Sequence, residues 1–408
     1  MARPNVTIRV VDDSIVVPTA ETFSRTNGAM VSVDGLKALA VNPGETAAGL
    51  YLVENLGDWY GRLRSYAEDQ LAAEGETGAT LQGLIGVTAA SMVAGTNAKS
   101  WANEWWAVHN FLQYGGGCVV GYTAPSYSTP ADSLKATEIA FDVAFCGTTS
   151  ADSLSATLAL VDAKSLTDQP ILGVIGATCA LSSPEKYPGT ASQYYMNVWG
   201  RKVHINALGQ NSDFVTTSLA ADAAGCVCRT DRDFKPWYSP AGRVRGRILN
   251  LVRLETNPTP AQQDALYDAG VNPVVSFPGE GTVLFGDKTG EVDTSTLSRV
   301  NVSRLFMYLR KVIAPVARTI LFEQNDEATR ARFRLAAESV MRNVLGARGI
   351  LDYKIVCDAS NNPPDLIQAR VFVADIFVKP TTAINYVRIT FTNKNLLDTL
   401  YPGERIPG

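Results

Sequence analysis

The sequence comes closest to a known binding motif in the glycine-rich segment that begins at Gly279. From Gly281 onward it nearly matches the phosphate-binding pattern G-x-x-x-x-G-K-[ST]. Asp287, however, precedes Lys288, which puts a carboxylate where backbone amides would have to face phosphate oxygens. Residues 282–285 favour a strand, and the residues that follow are polar and do not open a helix. We therefore predict a turn, a strand and a turn, with nucleotide binding as the less favoured alternative.

The two histidines, His109 and His204, are the other candidates for acid–base chemistry. Neither lies in a G-x-S-x-G or H-E-x-x-H motif, and the scattered carboxylates form no calcium-binding loop. His109 adjoins the apolar stripe of a predicted helix, and His204 lies in an alternating strand. We predict structural roles for both, with a general base as the alternative. The chain is accordingly expected to have no catalytic residues, no metal site and no cofactor.

The cysteines lie in apolar runs and lack the paired spacing of zinc ligands. They are Cys118, Cys146, Cys179, Cys226, Cys228 and Cys357. The C-x-C pair formed by Cys226 and Cys228 fits an alternating strand. We expect buried, reduced thiols that pack as small apolar side chains.

Composition limits the classes of partner. The chain has 408 residues, of which 46% are apolar, so it is long enough for two or three domains. Its net charge of −4 gives no global attraction to nucleic acid or acidic membranes. The N-terminus lacks the apolar region of a secretory signal, and the longest apolar runs are shorter than the roughly 20 residues that span a bilayer. We expect a soluble protein made in the cytoplasm, with neither direct nucleic-acid binding nor membrane insertion.

Predicted helices alternate with apolar strands, which indicates an α/β (α+β) fold with a mixed-sheet core flanked by helices. Helices are predicted at residues 98–113, 152–164, 301–324 and 326–345, with a short one between Thr259 and Gly270. Strands are predicted at residues 118–122, 171–175 and 271–277, and residues 221–254 are interpreted as strand, loop and strand. Asp326 and Thr259 are predicted N-caps.

The chain ends in a predicted β-rich part. Three strands are expected at residues 351–357, 367–378 and 384–392, separated by proline-containing turns. We divide the chain into an N-terminal arm with a donor strand (1–20), the first part of the core (21–122), a variable middle region (123–220), the main core (221–348), a C-terminal sheet (349–393) and a C-terminal arm (394–408).

An isolated strand near the N-terminus, at residues 6–11, needs a sheet to join, because a lone ribbon is unstable in water. The C-terminal sheet offers edges that could accept it. We expect inter-subunit strand exchange by Val6, Ile8 and Val10 at one end of the chain and by Ile384, Tyr386, Arg388 and Thr390 at the other.

Arginines cluster in two places. One group is Arg243, Arg245, Arg247 and Arg253, and the other is Arg330, Arg332, Arg334 and Arg342. Such groups form either solvated faces with partners such as Glu323, Glu327 and Glu338, or a docking face for an acidic partner.

Six stretches, in order, resemble the tail sheath proteins of contractile-tailed bacteriophages. They are WAVHNFLQYGGGCVVGY, AGCVCRTDRDFKPWYSPAG, LYDAGVNPVVSFPGEGTVLFGDKT, RVNVSRLFMYLRKVI, LFEQND and KIVCDASNNPP. The resemblance runs from about residue 101 to the end and is densest after Ala221, whereas residues 12–95 and 123–220 match only loosely.

This resemblance implies a mechanical, non-enzymatic function. Family members form six-fold rings stacked helically around an inner tail tube, with arms that donate strands to neighbours. Contraction, triggered at the baseplate, drives the tube through the host envelope for genome ejection. The implied partners are further copies of the chain, the tube, the baseplate and the tail terminator, and the implied location is the virion tail after assembly in the host cytoplasm. Arg330 and Arg334 are candidate tube-facing residues. The alternatives are a non-viral injection system or tailocin and, more remotely, a phosphate-handling α/β enzyme.

Overall fold

The computed structural model describes residues 27–74, 102–205, 214–291 and 295–384, apart from short gaps at residues 34–35, 41–44, 46–47, 125–128, 130 and 138. The strands in these ranges are β1 (Gly28–Val31), β2 (Leu50–Val53), β3 (Cys118–Gly121), β4 (Val143–Phe145), β5 (Leu172–Ala177), β6 (Tyr195–Trp199), β7 (Arg201–Ile205), β8 (Phe214–Ser218), β9 (Arg253–Leu254), β10 (Val271–Phe277), β11 (Gly281–Leu284), β12 (Ile350–Val356) and β13 (Asp375–Pro380). The helices are α1 (Leu56–Glu74), α2 (Ala102–Leu112), α3 (Asp132–Ala136), α4 (Ala151–Ser165), α5 (Ala220–Asp233), α6 (Gly242–Arg245), α7 (Pro260–Asp268), α8 (Val300–Thr319), α9 (Glu327–Gly346) and α10 (Pro364–Gln368).

An eight-stranded sheet with the order β11-β10-β6-β5-β4-β1-β3-β2 forms the first core. Its six central strands run parallel, and the edge strands β2 and β11 are antiparallel to their neighbours. Parallel strands are covered on both faces and therefore need continuous apolar sequences. The four residues of β3, CVVG, are accordingly all buried.

Helices cover both faces of this sheet. Phe111 of α2 occupies the space where a Cβ on Gly28 of β1 would stand. Leu134 of α3 fills the corresponding space beside Gly121 of β3. Gly28 and Gly121 lie three register positions apart, so they face opposite sides of the sheet. The helices α2 and α3 therefore pack on opposite faces.

The second core lies between α8, α9 and the antiparallel pair β12–β13. Leu309 of α8, Phe333 and Ala337 of α9 and Ile376 of β13 are almost completely buried there. A separate three-stranded antiparallel sheet has the order β8-β7-β9. The mixed α/β architecture predicted from the sequence is confirmed, while the expected terminal arms at residues 1–20 and 394–408 lie outside the described residues.

Several element predictions are confirmed. Thr259 forms the predicted cap of α7, in a capping box with Gln262 and with proline at the first helical position. The side chain of Asp326 accepts a hydrogen bond from the Thr329 amide and caps α9. The strand β10 has the predicted bounds. Pro315 lies inside α8.

Two predictions are wrong. The segment around Cys226 and Cys228, predicted as a strand, is the helix α5. The first nine residues of α5 are all buried, so the helix has no exposed polar face there. Without such a face the sequence shows no helical period, and the C-V-C alternation arises by chance. The strand predicted at residues 367–378 begins only at Asp375, because residues 364–368 form α10.

Candidate functional site

The C-terminal hairpin, β12 and β13, is the region that the sequence singled out for contacts between subunits. Tyr353 pairs with Val378 and Ile355 with Ile376 in an antiparallel register. Among the described residues, each of these two strands pairs only with the other. Within the described ranges, one backbone edge of each strand therefore has no strand beside it, and its N–H and C=O groups can accept a further strand.

The root of the hairpin is fixed to the rest of the molecule. The Thr381 amide donates to the Gly349 carbonyl at 3.1 Å, which closes the two strands together. The Trp237 indole donates to the Ala347 carbonyl at 3.0 Å. A Cβ on Gly349 would meet this indole at 2.9 Å, so a glycine allows the close approach. The open edges are thus held at a defined position.

Two asparagines organise the connection between the strands. The Asn362 side chain donates to the Val373 carbonyl and accepts from the Val373 amide, both at 2.8 Å. The side-chain amide of Asn361 donates to the Val356 carbonyl at 2.8 Å and to the Asp375 carboxylate at 2.9 Å. These bonds hold the irregular segment before β13, which the sequence analysis predicted as part of a strand.

The outward face of the hairpin combines apolar and charged side chains. Phe377 is 44% exposed and is paired in register with the exposed Lys354. Leu351, beside the register shift in β12, is 60% exposed. Exposed apolar side chains beside open strand edges are typical of an interaction surface.

The residues predicted for strand exchange are only partly described. Val6, Ile8, Val10, Tyr386, Arg388 and Thr390 lie outside the described residues. Ile384 is described and is 85% exposed, but it is not part of a strand. Strand exchange by these residues stays a prediction.

The two predicted tube-facing arginines have different environments. Arg330 is 7% exposed, and its guanidinium donates to the Asn325 side chain at 2.8 Å and pairs with Glu327 at 3.4 Å. Arg334 is half-buried and donates to the Cys357 carbonyl at 3.3 Å. The burial of Arg330 argues against a direct tube contact because little of its surface is accessible to a partner. The tube contact stays a prediction.

The exposed face of α9 presents residues that the sequence did not single out for this contact. The side chains of Arg332 and Arg342 are 63% and 70% exposed, and Leu335 between them is 67% exposed. Arg342 pairs with Glu338, one helical turn away, at 2.7 Å. This face of α9 is more accessible to a partner than Arg330.

The glycine-rich segment has the predicted turn–strand–turn structure, with β11 as its strand. Asp287 is buried and accepts a hydrogen bond from the Ser239 hydroxyl at 3.0 Å. The Lys288 ammonium lies over the Tyr267 ring, 4.3 Å from its centroid. Both charged groups are therefore used in packing the subunit, as the structural interpretation of this segment requires.

The histidines flank one tryptophan ring. The rings of His109 and His204 each lie 4.9 Å from the Trp106 ring, in edge-to-face geometry. Tyr60 and the Nε2 atom of His109 are 2.8 Å apart. Burial lowers the pKa of both histidines to about 4, so both are neutral at pH 7. This environment fits the predicted structural roles.

A row of basic residues on α8, which the sequence reading missed, joins the two cores. Arg304 pairs with Asp231 of α5, and Lys311 pairs with Asp142 beside β4; all four side chains are at most 10% exposed. Arg304, Lys311 and the exposed Arg318 follow one another at intervals of seven residues, which is visible in the sequence. Their acidic partners lie 73 to 169 residues away, so the pairs are not visible.

Other kinds of site find no support in the part of the chain that the structure describes. No group of three or more histidine, cysteine or acidic side chains is arranged to hold a metal ion there. The described cysteines are free, and all except Cys179 are buried. Burial raises the pKa of the Cys146 thiol to about 11. Within the same ranges, no helix combines the length and the apolar character that crossing a bilayer requires.

Comparisons with known sequences support the resemblance seen in the motifs. Residues 292–394 match the family described as the phage tail sheath C-terminal domain. The tail sheath protein of Vibrio phage KVP40 is 44% identical over 173 residues, which are 42% of this chain and 26% of that protein. The tail sheath protein of Enterobacteria phage T4 is 41% identical with the same coverage of both chains. The match thus spans about a quarter of the length of these curated relatives. The predicted resemblance to phage tail sheath proteins is confirmed.

Solved structures share the fold over almost the whole chain. The contracted helical sheath of the anti-feeding prophage gives a TM-score of 0.67 at 14% identity and covers 97% of this chain and 100% of that one. The contracted PVC sheath complex of an extracellular contractile injection system gives 0.63 at 15% identity, covering 97% and 98%. A six-fold symmetrised baseplate of the anti-feeding prophage gives 0.65 at 14% identity, covering 97% and 99%. At such identities the likeness shows the fold.

Proposed function

We propose that this chain, whose residues 292–394 match the phage tail sheath C-terminal domain, is a structural subunit of a contractile phage tail sheath. The observation that carries the proposal is that sequence and fold agree: the sequence relatives are phage tail sheath proteins, and the fold is that of sheath subunits over 97% of the chain. The match covers only part of the relatives' length, so the activity and partners of the whole protein belong to the proposal.

In this proposal, copies of the chain form six-fold rings stacked helically around an inner tail tube. The sheath contacts the baseplate and a tail terminator, and its contraction drives the tube through the host envelope for genome ejection. It is assembled in the host cytoplasm and resides in the virion tail. The free energy comes from repacking of subunits, so no catalytic residue is required. Helical sheath and baseplate assemblies among the structural neighbours support this model.

The hairpin β12–β13 is proposed as the place where neighbouring subunits exchange strands. Its two open edges support this role, with Val6, Ile8 and Val10 as one donor and residues 384–392 as the other. A strand of five or six residues adds on the order of five hydrogen bonds, each worth roughly 1 kcal/mol net. Single arms therefore bind weakly, whereas a lattice engages many arms at high effective concentration.

The tube is proposed to lie against α9. Arg334 stays a candidate for the contact, while Arg330 holds the start of the helix through Asn325. The exposed Arg332 and Arg342 extend the basic surface toward an acidic tube. Charge-reversed variants of Arg332 and Arg334 should copolymerise poorly with the tube, most clearly at low salt. Normal copolymerisation of these variants would remove α9 from this role.

A sheath of a non-viral contractile injection system is the second candidate. The similarity to the anti-feeding prophage and PVC sheath folds favours it, whereas the more closely related sequences come from phages. The genes beside the coding sequence distinguish the two: capsid and terminase genes favour a phage.

Negative-stain electron microscopy of the purified protein tests the proposal directly. We expect rings or tubes, and monodisperse monomers at high concentration would contradict it. Deletion of residues 1–12 tests the donor strand and should abolish long tubes. A deletion variant that still forms long sheaths would show that the donor assignment is wrong.

A further inference from the structure

A cleft of about 980 Å³ opens beside the root of the C-terminal hairpin, between α6, α7 and residues 381–384. Its walls expose apolar side chains: Val244 on α6 is 75% exposed, and Phe285 after β11 is 49% exposed. Asn301, in the first turn of α8, also lines the cleft and is 3% exposed. Among the described residues, neither the Oδ1 atom of Asn301 nor the buried Oγ1 atom of Thr381 has a hydrogen-bond partner. Because buried polar atoms are almost always hydrogen-bonded, the cleft fits an apolar occupant that also brings a donor.

Six charged residues line the same cleft, three of each sign: Arg243, Arg245, Arg348, Asp264, Asp268 and Asp287. Three of them have partners within the subunit. Arg243 pairs with Glu280, Arg245 donates to the Ser239 carbonyl, and Asp287 accepts from the Ser239 hydroxyl. Within the described ranges, the exposed side chains of Asp264 and Asp268 on α7 and of Arg348 have no hydrogen-bond or ion-pair partner. The α7 wall therefore offers two negative charges to an occupant, whereas the cleft as a whole selects no strongly charged ligand.

The turn between α8 and α9 presents an aromatic side chain to solvent. Phe322 in this turn is 87% exposed and has a φ of 69°. A left-handed backbone is unfavourable for a bulky side chain, and a glycine would avoid that cost. Asn325 fixes the turn, because its side chain accepts from Arg330 at 2.8 Å and donates to the Val371 carbonyl at 3.0 Å. A strained aromatic residue held out in solvent points to a role outside its own subunit.

The surface around Phe322 complements the cleft. Val371 adds a second apolar side chain, which is 41% exposed. The exposed Gln324 carries a side-chain amide that can donate to the Oδ1 atom of Asn301. Arg370 is exposed, and no described residue pairs with its guanidinium, so it is free to pair with the aspartates of α7. Phe322, Gln324, Arg370 and Val371 together form the tip.

The remaining charged residues near the tip are engaged within the subunit. Arg318 pairs with Asp168, Glu323 with Arg332, and Glu327 with Arg330, while Asp326 caps α9. The tip is therefore apolar at its centre and carries one unpaired positive charge, which is the chemistry that the cleft fits.

The tip and the cleft lie at opposite ends of α8. Asn301 belongs to the first turn of this helix, and Phe322 follows its last residue, Thr319. A helix of 20 residues is about 30 Å long, so a subunit cannot insert its tip into its own cleft. Contact between the tip of one copy and the cleft of another is head to tail. Such contacts repeat from copy to copy and generate rings or filaments.

We propose that the tip of one copy inserts into the cleft of the next. Phe322 packs against the apolar walls, Gln324 donates to Asn301, and Arg370 pairs with α7. The occupant is a second copy because this chain itself supplies an apolar surface with a donor and an unpaired positive charge. The proposal rests on the proposed function and names one contact of the repeating array.

Disulfide cross-linking between two variants tests the contact. Gln324→Cys keeps Phe322 in place, and Thr382→Cys puts a thiol at an exposed position that lines the cleft. Mixed in oxidised glutathione, the two should give a covalent dimer. Leu166→Cys mixed with Thr382→Cys is the matched control, because Leu166 is 84% exposed and does not line the cleft. A dimer yield no higher than in this control would overturn the proposal.

Phe322→Gly removes the anchor and suits the left-handed backbone. The urea midpoint should stay close to the wild-type value, because relief of strain offsets the greater freedom of glycine in the unfolded chain. Self-association measured by sedimentation should weaken at least tenfold. Leu166→Ala, which truncates an exposed apolar side chain elsewhere, should associate like the wild type. Undiminished association of Phe322→Gly would overturn the proposal.

A charge swap tests the orientation of the tip. Arg370→Glu should weaken self-association about tenfold at low salt, because it puts a carboxylate beside the aspartates of α7. Adding Asp264→Arg and Asp268→Arg to the same chain should restore association. Failure of the triple variant to associate would overturn the placement of Arg370 against α7.

The outcomes separate this contact from the proposed function. If the wild type forms tubes but Gln324→Cys and Thr382→Cys do not cross-link, the proposed function stands and the head-to-tail contact is overturned. If the protein forms neither rings nor tubes, the proposed function fails, while cross-linking at high concentration still supports the contact. A different occupant of the cleft would leave Phe322→Gly associating like the wild type and would overturn the proposal.

Discussion

Lys202 Nζ lies 2.8 Å from Asp222 Oδ1, and neither side chain has exposed surface. The pair joins β7 to α5. Tyr114 donates to the same carboxylate at 3.0 Å, and Lys202 also donates to the Leu249 carbonyl at 3.1 Å. Burial raises the pKa of Asp222 more than Lys202 lowers it. Removing the two charges from water therefore costs free energy, which the pairing offsets only in part.

We expect Asp222→Ala to lower the free energy of unfolding by about 3–5 kcal/mol, because it leaves Lys202 buried without a counter-charge. The double variant Asp222→Leu with Lys202→Met should lose much less free energy of unfolding, since it removes both charges. Urea unfolding measures both. Glu338→Ala, which breaks an exposed pair with Arg342, is the control and should cost less than about 1 kcal/mol. Equal losses in the single and double variants would contradict this view.

The ion pairs of α8 should contribute to stability according to their burial. Asp231→Ala leaves Arg304 unpaired between the two cores and should cost about 3 kcal/mol. Asp168→Ala is the matched control, because Arg318 is 52% exposed on the same helix and water can replace its partner. Chemical unfolding of both variants gives the comparison. Similar losses in the two would show that burial of the pair does not determine its contribution.

Stability should fall as the pH falls from about 6.5 to 4. His109 and His204 have folded-state pKa values of about 4, whereas unfolded histidine titrates near 6.5. In that window the unfolded chain binds protons that the folded chain does not, which costs on the order of 3 kcal/mol for each residue.

Among the described residues, the groups that contact the His109 ring include Tyr60, Gln113 and Asn110, and His204 lies near Lys202 and the Ile205 carbonyl. Urea midpoints measured against pH should become less pH-dependent in His204→Gln. An unchanged slope between pH 4 and 6.5 in this variant would be inconsistent with a buried neutral His204.

Asn362 should stabilise the connection that leads into β13. Asn362→Ala removes both hydrogen bonds to Val373 in a site that is 2% exposed, with an expected loss of about 2 kcal/mol. Hydrogen exchange at the Val373 amide should become faster at the same time. Ser360→Ala, an exposed neighbour, is the control and should change neither quantity appreciably.

Phe377 tests the outward face of the hairpin. Because it is 44% exposed, Phe377→Asp should leave the stability of the monomer within about 0.5 kcal/mol of wild type. If this face is buried between subunits, the variant should fail to form long tubes in sedimentation and microscopy. Leu166→Asp, at the C-terminal cap of α4 and 84% exposed, is an apolar control that should assemble. Normal tubes from Phe377→Asp would exclude this face from the interface.

Local signals in the sequence determined several elements directly. Thr259 followed by proline fixed the start of α7, and Asp326 fixed the start of α9. Capping and turn residues act over a few positions, so their effects can be predicted without knowledge of the fold. The ordered motifs after Ala221 were likewise sufficient to identify the resemblance to sheath proteins.

Tertiary structure decided what depends on distant partners. The helix α5 lies completely buried at its start, so packing, rather than sequence periodicity, reveals it. The pairs Arg304–Asp231 and Lys202–Asp222 bring together residues from different elements, and no sequence pattern connects them. A cleft of about 980 Å³ beside Ile384 forms where α6, α7 and the end of the hairpin converge. The sequence alone determined local structure and family resemblance, while long-range packing determined which charges are buried and which surfaces remain open for assembly.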